Sequence, residues 1–327
     1  MHLTLLLAGA LLPTPLAAAL ADSLNAPYFK RRLQHATALE RSTQSSGEAG
    51  TSAHLVWLAQ NLMKQSTPAT APYAFRNLSS RAPAAYVWHA DPVHVEVARD
   101  QLVVQALDSD ALTDDETVEL VTLANQVLSP FDVALVIRGS RWFLLHDFDW
   151  TVETTPLVAA LDSPVTMPVG PDAAMWNRLH NEIQMAWHAH EVNEQREATG
   201  KRTVNALWLY GGGRYHPLPA IAFSEVHCNA AEWRGVAEAT GSRGYFLDDT
   251  VANDALIVID DLLIPKRRED WAAWLQMIAA IDERIATYDA AALDIVFTGK
   301  SVKTFSSRGS DRYRFWRGRS LSEALSE

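Results

Sequence analysis

The chain has 327 residues and a mass of 36.2 kDa, enough for two lobes or for one large domain carrying an insertion. Its 48% hydrophobic and 20% charged composition is that of a packed protein, and 15 Gly with 15 Pro exclude collagen-like or linker-dominated chains. A net charge of -11 repels phosphate backbones, so nucleic acid is not an expected partner, and the single Cys228 excludes a disulfide framework or a multi-cysteine metal site.

In chain order, the apolar opening up to Asp22 has the look of a secretory signal. No Lys or Arg precedes Leu3, however, and Pro13 and Pro15 interrupt the run, so residues 3–7 are read as a buried strand. No eighteen consecutive apolar residues occur, so no membrane span is expected, and the solitary cysteine fits a cytoplasmic location. Residues 22–40 predict a helix with Asn25 as N-cap and Pro27 in the first turn. A Ser/Thr/Gly-rich loop over 41–53, a second helical stretch from His54 to Met63 and a Pro/Ser-rich connector over 65–83 follow.

From Tyr86 the pattern turns to strands: YVWHA, then the alternating Val93, Val95 and Val97, then QLVVQAL. Thr113 and Glu116 form a capping-box pattern before an amphipathic helix, and Gly139-Ser140 joins VALVIR to RWFLLH as a II′-like hairpin. Beyond residue 166, helical stretches alternate with the near-continuous apolar runs NALWLY, ALIVI and LDIVF, which implies a parallel sheet covered on both faces. Residues 3–7 share that character. The expected organisation is an α/β core formed by both chain ends (1–84 and 166–327) with an α+β lobe inserted over 85–165.

The segment HEVNEQREATGKRTVNALWLYGGG resembles a stretch of archaeal-type, cofactor-independent phosphoglycerate mutases, through His190, Val192, Asn193, Arg196, Gly200, Asn205 and Gly211 to Gly213. Together with WHADPVHVEV, it is closer still to a bacterial group, the RpfE-type regulatory proteins. The resemblance implies an alkaline-phosphatase-like, three-layer α/β/α core. Enzymes of that superfamily hold two divalent metals with Asp and His and attack with a Ser or Thr hydroxyl. Here the first strand runs into Ala8-Gly9 instead of Asp-Gly. Asp260-Asp261 has no His four residues on, with Arg267 and Arg268 nearby, and the last strand ends in Thr298-Gly299-Lys300-Ser301 instead of T-G-D-H. A protonated lysine has no lone pair to give a metal.

These departures imply a regulatory or ligand-binding protein without metal or catalytic residues. Its partner would be a phosphorylated small molecule or another protein, and Asn193, Arg196, Asn205, Arg214, Asp260 and Lys300 are the candidate ligand residues. Lys300 with Arg214 would hold an anion without a metal. The alternatives are an active mutase-like phosphotransferase with Mn or Zn and Ser52 or Thr51 as nucleophile, and a protein-interaction module with no small ligand. Gly211 to Gly213 read as a tight turn in preference to a phosphate cradle, and His188 and His190 as packing or capping residues, since positions two apart on a helix face different ways. The basic run from Lys300 to Arg319 is expected to pair with acidic surface.

Overall fold

The computed structural model describes residues 1–42, 52–65, 68–98, 101–107, 112–161, 168–288, 290–313 and 318–327. Its strands, in chain order, are β1 (His2–Leu7), β2 (Thr37–Ser42), β3 (Tyr86–Ala98), β4 (Gln101–Ala106), β5 (Ala134–Arg138), β6 (Arg141–His146), β7 (Ala206–Gly213), β8 (Glu225–His227), β9 (Arg243–Tyr245), β10 (Ala255–Ile259), β11 (Ala292–Thr298) and β12 (Val302–Arg308). The chain divides into two compact units, Met1–Gly47 with Ser52–Ser66 and Leu218–Glu327, and Glu48–Thr51 with Thr67–Pro217. Among the described residues no helix is long and apolar enough to cross a membrane.

The first unit is built on a seven-stranded sheet of order β2-β12-β11-β1-β10-β8-β9. The opening segment is its central strand: β1 runs parallel to β10 (Leu5 beside Ile257) and to β11 (Leu5 beside Ile295). Leu3 to Leu7 are all buried, so both faces of β1 are covered. On one face, helices Pro27–Gln34 and Trp271–Ala286 bring Phe29, Leu33, Trp274, Ile278 and Ile285 onto Leu3, Leu5, Ile257 and Ile295. Helix Ala231–Ala239 packs on β8 and β9. This is the α/β class that the sequence implied.

The expected helix over 22–40 is shorter. It starts at Pro27 and is capped from a distance, since the amides of Tyr28 and Phe29 donate to the buried Asp282 at 2.9 and 2.6 Å. Asn25 does not cap it; Ala26 is the N-cap residue. From Thr37 the stretch is edge strand β2, because pairing with β12 supplies backbone partners that outweigh a modest helix propensity. Within 65–83, helix Ala71–Ser79 forms where a connector was expected.

The second unit is built around β3, one strand of 13 residues where two were expected. β6 pairs with residues 86–89 and β4 with residues 93–98 along one side, while β7 lines the other. Pro92 falls in the gap between β6 and β4, where its missing N–H leaves no ladder bond unmade. Helices Asp114–Leu128 and Ala173–His188 bury Trp88, Trp142, Trp176 and Trp187 on one face. The capping box of Thr113 and Glu116 and the two-residue Gly139-Ser140 hairpin form as the sequence predicts.

Two sequence expectations are corrected here. The unit extends over 67–217 instead of 85–165. NALWLY joins this antiparallel sheet as β7, with Ala90 beside Leu209, and not the parallel one. An apolar run suits either kind of buried strand; its partner decides, and the partner is β3.

Candidate functional site

In the first unit, β1, β10 and β11 are parallel, so their carboxyl ends share one edge of the sheet, where open α/β sheets bind ligands. The chain leaves that edge through Ala8-Gly9, Asp260-Asp261 and Gly299-Lys300. Gly9 takes φ 81°, and its carbonyl accepts from Trp274 Nε1 at 3.2 Å. Leu11 then donates to the Thr298 carbonyl at 3.1 Å, which folds the segment after β1 over the end of β11. Leu12 pairs with the segment that follows helix Leu321–Leu325: its amide donates to Leu325 at 2.8 Å, and its carbonyl accepts from Glu327 at 2.8 Å. A Cβ at Gly299 would lie 2.5 Å from Glu327 Oε1 and 2.8 Å from Leu11 Cβ, so the closeness of these segments requires glycine there.

Charge gathers at this edge. Lys266, in helix Leu263–Arg267, reaches the Leu11 carbonyl with its ammonium and lies 3.7 Å from Glu327 Oε1. The same Oε1 accepts from the Lys300 amide at 2.9 Å, and the Lys303 ammonium donates to the Ser326 carbonyl. Burial lowers the Lys266 pKa and Lys300 adds to the effect, while Glu327 opposes it. Across the edge, Asp260 is pushed up to about 6 by crowding within the fold and by Asp261 and Glu232, although part of its surface faces solvent. Cys228 lies close by. Burial raises its thiol, which donates to the Ala230 carbonyl at 3.3 Å.

This edge does not fit a two-metal cage. Ala8 has no donor atom, residue 300 is a cation, and Ile264 stands four residues beyond Asp260. Among the described residues, no group of three or more His, Cys, Asp or Glu side chains is placed to hold a metal ion. Ser52 is the half-buried N-cap residue of helix Ala53–Leu58, and its hydroxyl makes no capping bond. Thr51 lies outside the described residues.

The other predicted ligand residues belong to the second unit, and each is held within it. Asn193, 2% exposed, donates to the Trp187 and Val204 carbonyls at 2.8 and 2.9 Å and accepts from the Val204 amide at 2.8 Å. Arg196, 1% exposed, donates to both Glu116 carboxylate oxygens at 3.1 Å and to the Arg202 carbonyl at 2.6 Å. Asn205 exchanges two 2.8 Å bonds with the Val95 backbone, as a further residue of β7 would. Arg214 donates to Asp149 at 2.6 Å and to the Ala84 and Asp147 carbonyls. These four side chains fasten the turn from helix Glu191–Ala198 into β7 and the end of β7.

The glycine triplet is neither a turn nor a cradle. It is the end of β7, and a Cβ on Gly212 would lie 2.3 Å from the Trp88 ring. His190 caps helix Glu191–Ala198, its Nδ1 accepting from the Val192 amide at 3.3 Å. In the basic run, Arg308 pairs with Asp294 at 2.8 Å, and the Arg319 guanidinium stacks on Phe305. Sequence reasoning missed Lys266 and Glu327, which stand 61 positions apart with no local pattern linking them. The only signal available was Lys266 in a basic run just past a parallel strand.

Over 99% of its length the chain is similar in structure to the PH0037 protein of Pyrococcus horikoshii, with TM-score 0.57, 15% identity and 91% of that protein covered. It also aligns, at TM-score 0.45 and 12% identity over 99% of its length and 94% of the other chain, with the cofactor-independent phosphoglycerate mutase of Thermoplasma acidophilum. No protein-family profile and no curated protein matches the sequence. At 15% identity the likeness to the Pyrococcus protein is one of fold.

Proposed function

We propose that the chain is a ligand-binding or regulatory protein, akin to the RpfE-type bacterial group, on a phosphoglycerate-mutase-like fold that no longer transfers phosphoryl groups. The observation that carries this reading is the carboxyl edge of β1 and β11. There a lysine stands where a metal ligand is needed, and the space is packed by Leu11, Gly299 and Glu327. Two divalent ions neutralise the transferring group and ionise the attacking hydroxyl in such chemistry; cationic side chains at their position repel them. The same cations favour an anion, so the ligand is a phosphorylated small molecule bound without metal. The pairing of Lys300 with Arg214 proposed from sequence is withdrawn, because Arg214 is engaged by Asp149 and two carbonyls. A protein partner remains the reading to adopt should no phosphorylated compound bind.

Calorimetric titration with Mn²⁺ and Zn²⁺ tests the proposal, and no tight stoichiometric binding is expected. Two tight sites, with manganese-dependent turnover of 3-phosphoglycerate lost on Ser52→Ala, would overturn it. In a thermal-shift series, phosphorylated metabolites are expected to raise Tm in the presence of EDTA.

A further inference from the structure

β8 begins with Glu225 and ends with His227, whose side chains are 4% and 0% exposed and share one face of the strand. The ring of His227 places Nε2 3.2 Å from Glu225 Oε2 and Nδ1 3.3 Å from the Phe246 carbonyl. A carboxylate and a carbonyl oxygen only accept, so both ring nitrogens have to donate, and both bonds form only with the doubly protonated imidazolium. Burial alone would raise the Glu225 carboxyl, but the His227 ring, the Ala252 amide and the Arg243 guanidinium outweigh it and hold it below its usual range.

The same pair holds both ends of one loop. The Phe246 carbonyl rests on His227, and the Ala252 amide donates to Glu225 Oε2 at 3.0 Å. Leu247 is fixed by other means, since its side chain is buried in the core and its carbonyl accepts from Arg284. Phe246 itself is 56% exposed at the carboxyl end of β9, with the Arg234 guanidinium 3.9 Å from its ring centroid. The other charged and titratable groups around the ring are engaged. Arg243 of β9 donates to Glu225, and Tyr245 of the same strand stacks on His227 at 5.2 Å. Arg234 of helix Ala231–Ala239 donates to the Cys228 and Asn229 carbonyls, and Asp249 accepts from the Phe246 amide. From β10 the neighbour is the uncharged Ile257.

We propose that Glu225 and His227 form a proton-operated latch on the loop 246–252: doubly protonated His227 pins the loop, and loss of one proton frees its Phe246 end. The proton that remains stays on Nε2, because a bond to a carboxylate outweighs one to a carbonyl. The bare Nδ1 lone pair then faces the Phe246 oxygen and repels it. That oxygen keeps the Asp249 amide at 3.2 Å, so opening leaves it a partner. The latch is therefore closed at acidic pH and opens as pH rises. Because β8, β9, β10 and β1 are parallel, the released residue lies on the edge of the sheet that carries Asp260 and Lys300, and opening changes what that edge presents. The device does not depend on which ligand, if any, the edge binds.

The test follows the full-length protein from pH 5.5 to pH 9 with two readouts. Imidazole ¹⁵N spectra give the protonation state of His227, and hydrogen exchange corrected for intrinsic rates gives the protection of residues 246–252. Doubly protonated His227 is expected at pH 5.5, with loop protection falling about five- to tenfold as one proton leaves, the scale of one hydrogen bond. Protection of β1 and β11 is expected to stay constant, which also verifies the fold of each variant. Glu225→Gln removes the charge that favours the imidazolium, so both transitions should move together to lower pH. His227→Gln should abolish the pH dependence of the loop. A neutral ring at pH 5.5, a ring still doubly protonated at pH 9, deprotonation with no change in the loop, or a pH-dependent loop in His227→Gln would each overturn the proposal. The natural sequence alone decides the first three of these, so the test stands even if a variant does not fold.

Discussion

Two regions of this molecule carry polar side chains where a reader of the sequence looks for chemistry, and they use them in opposite ways. In the stretch from His190 to Gly213, the polar side chains tied to the mutase resemblance, those of His190, Asn193, Arg196 and Asn205, are fastened to backbone or to a carboxylate of their own unit. At the carboxyl edge of β1 and β11, the Lys266 ammonium and the Lys300 amide converge on the Glu327 carboxylate, and the Lys303 ammonium holds the neighbouring Ser326 carbonyl. The lesson is that the most distinctive motif of a fold can be architectural. Asn193 and Asn205 have side chains that imitate peptide groups, and they close a turn that no regular ladder would close. A site, by contrast, shows as charge or hydrogen-bonding capacity left over after folding.

The largest expected effect breaks the comparison on its architectural side. Asn193→Leu strands the carbonyls of Trp187 and Val204 and the Val204 amide in the interior, so urea unfolding should show a loss of about 3–5 kcal/mol. A loss below 1 kcal/mol would mean that Asn193 is available for a ligand after all. Next is Gly212→Ala, which forces the Trp88 ring aside and should cost about 1–3 kcal/mol by the same measurement.

A smaller effect follows from the Arg196–Glu116 pair. Burial alone would raise Glu116, but the Thr113 amide and the Arg196 guanidinium outweigh it and hold its carboxyl below the usual range. The unfolded chain therefore binds that proton more readily. The stabilisation is complete above the ordinary carboxylate pKa of about 4.3 and is lost as pH falls through the depressed folded value. Stability measured from pH 6 down to pH 3 should fall less steeply in Glu116→Gln than in the natural sequence.

The smallest effect sharpens the other side. Asp260 is raised to about 6, so between the ordinary aspartate range and pH 6 the folded state holds the extra proton. Stability contributed by this group falls as pH rises through that window. Asp260→Asn should raise Tm slightly at pH 7.5 and leave it unchanged near pH 4. A rise at both values would trace the change to packing instead of charge.

Much of the fold is legible from residue patterns. The apolar runs of β1, β10 and β11, the capping box at Thr113 and the hairpin at Gly139 depend on neighbours within a few positions, and local sterics and burial dictate them. The departures at Ala8 and Lys300 are likewise plain in the sequence, because a side chain without a lone pair cannot ligate wherever it stands. What tertiary structure alone decided is partnership. β7 could have joined either sheet, Asp282 caps a helix some 250 residues earlier in the chain, and Glu327 meets Lys266 across 61 positions. Such pairings depend on which surfaces folding brings within hydrogen-bond distance, and no local periodicity encodes that distance.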